Sequence, residues 1–344
     1  MGLPLKDLVA AQELPWDALA GRTMAVDGYN AAYQFLATIR QRDGQLFSDP
    51  DGRVTSHLMG AFYRTTSLLQ QGVLPVWVFD GKPPDRKAGT IRQRIAAKEK
   101  AESQYQEALA AGDLETARRK AAQTSRLTRP MVEELVQLLS GMGIPTVQAP
   151  GEGEAQAAVM AAKGVVWASA SEDYDTLLFG APRLVRGLAA RGRSGTSPGA
   201  QFVDRAELLA HLGIDGDELI AIGVIVGSDF NDGAPGYGPK KALKAVQEHL
   251  GFDATMRKVG LDPTEAAEVA EIFRHPMATE VPPVTFGPVD EDAVCRILVA
   301  GHGFSEQRVR TAIARARQRP PATSTPVEAR GHQTLLETYG GSSE

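Results

Sequence analysis

Apolar residues along this chain fall into two kinds of stretch. Short, nearly unbroken runs, the pattern of strands buried on both faces, occur at Arg22 to Asp27, Val73 to Phe79, Ile144 to Gln148, Val165 to Ala170 and Arg183 to Leu188. Between them lie longer stretches with apolar residues at helical spacing. These are Ala31 to Arg40, Thr55 to Gln71, Met131 to Met142, the run after Glu154, and Leu219 to Phe230. Lys87 to Arg129 is long, charged and helical in spacing, with an interruption near Gly112, and Glu291 to Arg319 is predicted to be helical with a basic end. Turn-rich Asp43 to Gly52, the break Gly81-Lys82-Pro83-Pro84 and the Gly/Ser-rich Gly192 to Gly199 punctuate the series. Strands alternating with helices predict an α/β fold, a mostly parallel central sheet with helices on both faces. Beyond it, Arg319 to His332 is rich in Pro, Thr and Ser and is expected to be a flexible linker.

Composition narrows the class. The chain has 344 residues and 23% charged residues, enough to bury a substantial core in a soluble protein. Its nearest approach to a membrane span, Leu219 to Val226, is far too short, and the N-terminus lacks a signal-peptide pattern. A single cysteine, Cys295, excludes an internal disulfide and a thiolate metal cluster, so a cytoplasmic, reducing location is expected. The net charge of −5 argues against nucleic acid only if spread evenly. Lys82 to Arg129 carries twelve Lys or Arg against six Asp or Glu, a local +6 that leaves −11 elsewhere. Such polarity offers one basic surface to phosphates and one acidic site to cations.

The acids have a pattern. Asp27 and Asp80 end predicted strands, Glu152 and Glu154 alternate just after a third, and Asp173 and Asp175 alternate just after a fourth. Any one of them is most simply a helix cap or a first-turn acid. In a parallel sheet, however, all four strands would deliver acids to one rim, which is costly unless a cation neutralises them. Oxygen-rich, water-accessible sites of this kind suit Mg²⁺. Asp229 follows the apolar helix in G-S-D, and G-Y-G-P-K comes soon after it. There Gly236 and Gly238 allow a tight turn, and Pro239 suits a helix's first position. The free N–H groups, with Lys240 and Lys241, would seat a phosphate.

Together these residues resemble the structure-specific 5′ nucleases, and within them the flap endonucleases of archaeal type. The resemblance is dense at Y-Q-F-L-A-T-I-R (Tyr33 to Arg40), T-S-H-L-M-G-A-F-Y-R-T (Thr55 to Thr65) and V-F-D-G-K-P-P (Val78 to Pro84). It continues through A-P-G-E-G-E-A (Ala149 to Ala155), A-S-E-D-Y-D-T-L-L-F-G-A-P-R-L-V-R (Ala170 to Arg186), G-S-D and G-Y-G-P-K. It implies a PIN-like 5′ nuclease fold with a helical arch and a helix–two-turn–helix. Residues 1–318 would form one nuclease core. Within it lie an N-terminal region to about residue 100, an arch over 82–129, an internal region with the helix–two-turn–helix over 130–260, and C-terminal helices over 261–318. Residues 319–344 would be a tail.

The resemblance also implies roles. The metal carboxylates fall on Asp27, Asp80, Glu152, Glu154, Asp173, Asp175 and Asp229, with Glu152, Glu154, Asp80 and Asp173 forming the inner site. Two Mg²⁺ are implied, with Mn²⁺ as a substitute, and Asp173 is singled out as catalytic. The arch pair aimed at the scissile phosphate falls on Lys87 and Arg94, seven residues apart and so on one helix face. Spacing alone makes Tyr33 a core aromatic; the resemblance makes it a base-stacking residue. Arg40, two turns along the same predicted helix, would contact a phosphate. Thr55, Phe304 and Arg308 would hold a one-nucleotide 3′ flap. The G-Y-G-P-K turn would grip duplex backbone around a monovalent cation. Gln333, Leu336 and Tyr339 would dock on the sliding clamp (PCNA), weakened because Gly340 stands where the family has a second aromatic.

The expected activity is therefore a monomeric 5′ flap endonuclease and 5′–3′ exonuclease working by two-metal-ion catalysis on branched DNA. Three alternatives stay open on the sequence. Another 5′ nuclease of the same fold would act on gaps, bubbles or ends. A small-molecule phosphohydrolase would ignore DNA and have no use for a basic arch. A non-catalytic junction adaptor would not need the full set of acids, and the set is intact.

Overall fold

The computed structural model describes residues 5–82, 88–188, 200–280 and 283–317, the side chains of 88–96, 109, 114, 117 and 118 excepted. In chain order the elements are β1 (Gln12–Leu14), β2 (Thr23–Asp27), α1 (Gly28–Thr38), α2 (Ser56–Gln70), β3 (Leu74–Phe79), α3 (Ala88–Ala110) and α4 (Leu114–Ala121). Then come α5 (Arg129–Gly141), β4 (Thr146–Gln148), α6 (Gly153–Ala162), β5 (Ala168–Ala170), α7 (Asp175–Leu178), β6 (Arg183–Arg186) and β7 (Ala200–Asp204). The rest is helical: α8 (Arg205–Leu212), α9 (Gly216–Val226), α10 (Pro239–Val246), α11 (Phe252–Val259), α12 (Pro263–Arg274), α13 (Glu291–Cys295) and α14 (Glu306–Arg317), with a π-helical turn at Arg296–Gly301.

The seven strands form one sheet in the order β1-β7-β6-β5-β2-β3-β4. Strands β6, β5, β2, β3 and β4 run parallel; β7 and β1 add an antiparallel edge. The central strands alternate as period-two geometry requires. Met24, Val26, Trp77 and Phe79 face a core shared with α1, α2, α5 and α14. Ala25, Val76 and Val78 face the opposite core, with Ala157, Met160 and Ala161 of α6. A third core, built on Leu177 and Leu178, Leu219 to Ile225, Ala266 and Phe273, joins α7 to α9 and α12. Burying a side chain such as Trp77 or Leu135 contributes roughly 1.5–3 kcal/mol, so each face anchors the sheet firmly.

From β2 the chain moves outward through β3 to β4, then crosses back to β5 on the other side of β2. The switch point therefore lies between β2 and β5, where Val26 is opposite Ala170. Ligands in open α/β sheets bind just beyond the carboxyl ends of the strands at such a point.

Several predicted boundaries move. The fourth predicted strand begins at Ala168, not Val165, because the chain first turns through Gly164 at φ +71°. The apolar helix stops at Val226, since Gly227 takes φ +97°. The single helix expected over Glu291 to Arg319 is broken at 302–305, with Gly303 at φ +68°. Strands β1 and β7 were not predicted: β1 is three residues of polar edge, and β7 emerges directly from the Gly/Ser-rich stretch. The interruption near Gly112 is present between α3 and α4.

Helices α1 and α2 meet closely at Gly60, where an added Cβ would lie 2.2 Å from Phe35 Cγ. Phe35 is itself buried and 6.3 Å from the Trp77 ring, leaving it little room to turn away. Gly60→Ala should therefore cost about 1–3 kcal/mol of stability in urea unfolding. A loss under about 0.5 kcal/mol would show that this contact yields freely.

Candidate metal centre

Each acid reaches the switch point by a distinct local route. Asp27 closes β2 and caps α1, its Oδ1 accepting from Asn30 N at 2.9 Å. Asp80 follows β3 and accepts from Gly153 N at 2.8 Å. Gly153 is needed there, because a Cβ would stand 2.6 Å from Asp80 Oδ1. Glu152 is the N-cap residue of α6 and Glu154 lies in its first turn. Ser171, just after β5, donates to Glu154 Oε1 at 2.8 Å and accepts from Asp173 N at 3.1 Å. Asp175 is buried at the start of α7.

Glu154, Asp173 and Asp175 each present an oxygen within 4.8 Å of the other two. Part of Glu154 stays open to solvent, yet its carboxyl is held well above the ordinary value of 4.5. Desolvation is the main cause, followed by the charges of Asp173, Asp27 and Asp175; the Ser171 bond opposes them. The Tyr29 hydroxyl is raised too, first by burial and then by Asp80, which puts Asp80 within electrostatic reach of Tyr29. Oxygen-only donors, crowded and partly solvated, fit a hard divalent cation. The fit also explains the crowding, since a cation would remove the repulsion that raises Glu154.

Asp229 is buried on the turn after α9, and α9 packs against α7, the helix that begins with Asp175. Lys87 lies outside the described residues, as do Gln333, Leu336 and Tyr339. Arg94 belongs to α3. Tyr33 is 36% exposed and so is no core residue; Lys98 of α3 sits over its ring, Nζ 4.5 Å from the centroid. Arg40 requires a correction, because α1 ends at Thr38 and Arg40 lies in the loop beyond. Its guanidinium donates to Gly44 O at 2.7 Å and Ser125 Oγ at 2.9 Å, tying that loop to the segment after α4.

Thr55 is buried just before α2, Phe304 packs against the core, and Arg308 is exposed on α14 near Tyr63. Gly236 and Gly238 are exposed before α10, whose first turn carries Lys240 and Lys241. Lys241 Nζ donates to Gly236 O at 3.0 Å, closing the turn on itself. Sequence reasoning missed Ser171, which links two of the acids. Its position within S-E-D-Y-D was the available signal, but a serine there is indistinguishable from a turn residue.

The XPG N-terminal domain family matches residues 4–101, and the XPG I-region family matches residues 143–229. The sheet and the acids at its switch point thus define a metal-dependent nuclease of the 5′ nuclease class. Among curated relatives, Flap endonuclease 1 of Aeropyrum pernix is 43% identical, over 99% of this chain and 100% of its own length. The solved flap endonuclease-1 of Methanococcus jannaschii superposes with a TM-score of 0.75 at 39% identity, covering 92% of this chain and 98% of that one. The chain belongs to the flap endonuclease family. The catalytic core of Rad2 in complex with DNA substrate shares the fold at 23% identity and a TM-score of 0.71, over 92% of this chain and 100% of that one.

The raised Glu154 fixes a pH dependence. In chelator the folded protein keeps this proton above pH 4.5, where the unfolded chain has lost it. Stability of the metal-free protein should therefore fall as pH rises from 4.5 through the raised value. Glu154→Gln should melt higher than wild type in chelator at neutral pH. Added divalent cation should raise the wild-type Tm and raise that of the variant less. A wild-type Tm indifferent to divalent cations would contradict the cation site.

Proposed function

We propose that this chain is a structure-specific 5′ flap endonuclease with 5′–3′ exonuclease activity, acting on branched DNA in Okazaki fragment maturation and repair. The observation that carries the reading is the group of three acid oxygens within 4.8 Å beyond the switch-point strands, in a chain of this family. Residues 1–318 act as one nuclease core.

Glu152, Glu154, Asp80, Asp173 and Asp175 would hold divalent cations, two in all, with Asp27 and Asp229 completing the site directly or through waters. Mg²⁺ is the proposed ion and Mn²⁺ its substitute. Bound there, the cations supply positive charge that neutralises the phosphodiester and favours attack by water. The chain's own residues do the rest. Ser171 holds the Glu154 carboxylate and the Asp173 backbone in one register. Asp80 is fixed on the Gly153 amide, so the loop leaving β3 keeps its acid beside α6. Lys87 and Arg94 of the basic arch would stabilise charge building on the phosphate, and Tyr33 would stack on a base.

Arg40 and the Gly236–Lys241 turn would bind backbone phosphates, the turn with a monovalent cation. Thr55, Phe304 and Arg308 would receive a 3′ flap. Gln333, Leu336 and Tyr339 would dock weakly on a sliding clamp. No helix among the described residues is long and apolar enough to cross a membrane; the proposed setting is the cytoplasm, as a monomer.

A double-flap DNA labelled at its 5′ end, with Mg²⁺, should yield one short labelled product cut near the flap base, while blunt duplex should release no more than a labelled mononucleotide and free single strand nothing. Asp173→Ala should lower turnover by about 10³ or more yet bind the flap almost normally. Equal losses in binding and turnover would assign Asp173 to folding. Binding should also weaken steeply with salt, as phosphate contacts require.

A further inference from the structure

Away from the metal centre, a second group of titratable side chains is enclosed. The His302 side chain is 2% exposed and that of Asp49 not at all. His302 Nδ1 lies 2.8 Å from Asp49 Oδ2, and Nε2 lies 2.6 Å from Glu134 Oε1. Each carboxylate takes one ring nitrogen, so the imidazole is held from both sides. Asp49 suits this role. Burial alone would raise its carboxyl, but the bonds from the Arg53 backbone, His302 and the Arg53 side chain outweigh burial and leave it lowered.

His57 is buried beside Glu134, its Nε2 4.0 Å from Glu134 Oε2, and neither of its ring nitrogens has a hydrogen-bond partner. Burial first, and then the charge of His302, depress His57 to about 4. The charged and titratable groups facing the His302 imidazole are thus Asp49 and Arg53 from the turn, Glu134 from α5 and His57 from α2.

This bridge joins segments distant in sequence. Asp49 anchors the turn that leads into Thr55, accepting from Asp51 N at 3.0 Å and Arg53 N at 2.8 Å. His302 closes the π-helical turn and lies two residues before Phe304. Arg53 adds a second tie by donating to the Gly301 carbonyl. π-helical turns concentrate at functional sites, and this one runs directly into the break at 302–305.

We propose that His302 is a positioning residue: bonded through both ring nitrogens to Asp49 and Glu134, it fixes Thr55 against the segment carrying Phe304 and Arg308 and so sets the preference for DNA bearing a 3′ flap. The inference rests on the assignment of those three residues to the 3′ flap. Loss of either bond frees the turn and lowers the preference. The sequence pattern gave no sign of this: a histidine between two glycines has the look of a loop.

The experiment measures, on the full chain, the ratio of cleavage rates for a substrate with a single-nucleotide 3′ flap and for one without it. His302→Gln, which cannot hold both carboxylates, should lower the ratio by about tenfold, the scale of one lost hydrogen bond to a carboxylate, with the rate on the substrate lacking the flap near wild type. Glu134→Ala, which removes one of the two bonds, should lower the ratio in the same way. Arg308→Ala should also give a low ratio. A wild-type ratio in His302→Gln and Glu134→Ala, beside a low ratio for Arg308→Ala, overturns the role of His302 alone. An unchanged ratio in Arg308→Ala overturns the 3′-flap assignment beneath it. Should His302→Gln fail to fold, Glu134→Ala decides.

Discussion

Carboxylates that repel one another are held together at the end of a parallel sheet, and the rest of the structure is arranged to tolerate that. Glu154, Asp173 and Asp175 share a space of 4.8 Å, with Asp27 near enough to help raise the Glu154 carboxyl. No isolated fold would gain from such crowding, because like charges at this distance oppose ionisation. The crowding makes sense as a cradle shaped for something positive.

The fold contributes in three ways. Its strand order puts the switch point between β2 and β5, so acids at the ends of different strands converge without distorting either. Helices α1 and α6 begin at this rim, and their N-termini lend partial positive charge to Asp27 and to Glu152 and Glu154. Apolar packing on both faces of β2 and β3 then supplies the rigidity needed to hold the group against its own repulsion. The enclosed His302 bridge uses a different device, one imidazole with a carboxylate at each ring nitrogen, to join the turn before α2 to the C-terminal helices.

Much of this was legible in the amino-acid sequence where the physics is local. The central strands show as continuous apolar runs because both of their faces are buried, and the acids at their ends stand out because each breaks such a run. The edge strands β1 and β7 were hidden because half-exposed strands lack that signature. The break at 302–305 was missed because Glu291 to Arg319 keeps helical spacing through it. Arg40 was placed on a helix that ends two residues earlier, at Thr38. Ser171, and the pairing of His302 with Asp49 and Glu134, depend on contacts between distant segments, which no spacing within one segment reveals.

The account's central claim is that the crowded acids exist to bind divalent cations. Crystals grown with Mn²⁺ and measured for anomalous scattering test it most directly. The account predicts anomalous density among the carboxylates of Glu154, Asp173 and Asp175. Strong density elsewhere, with none between these three, would contradict it.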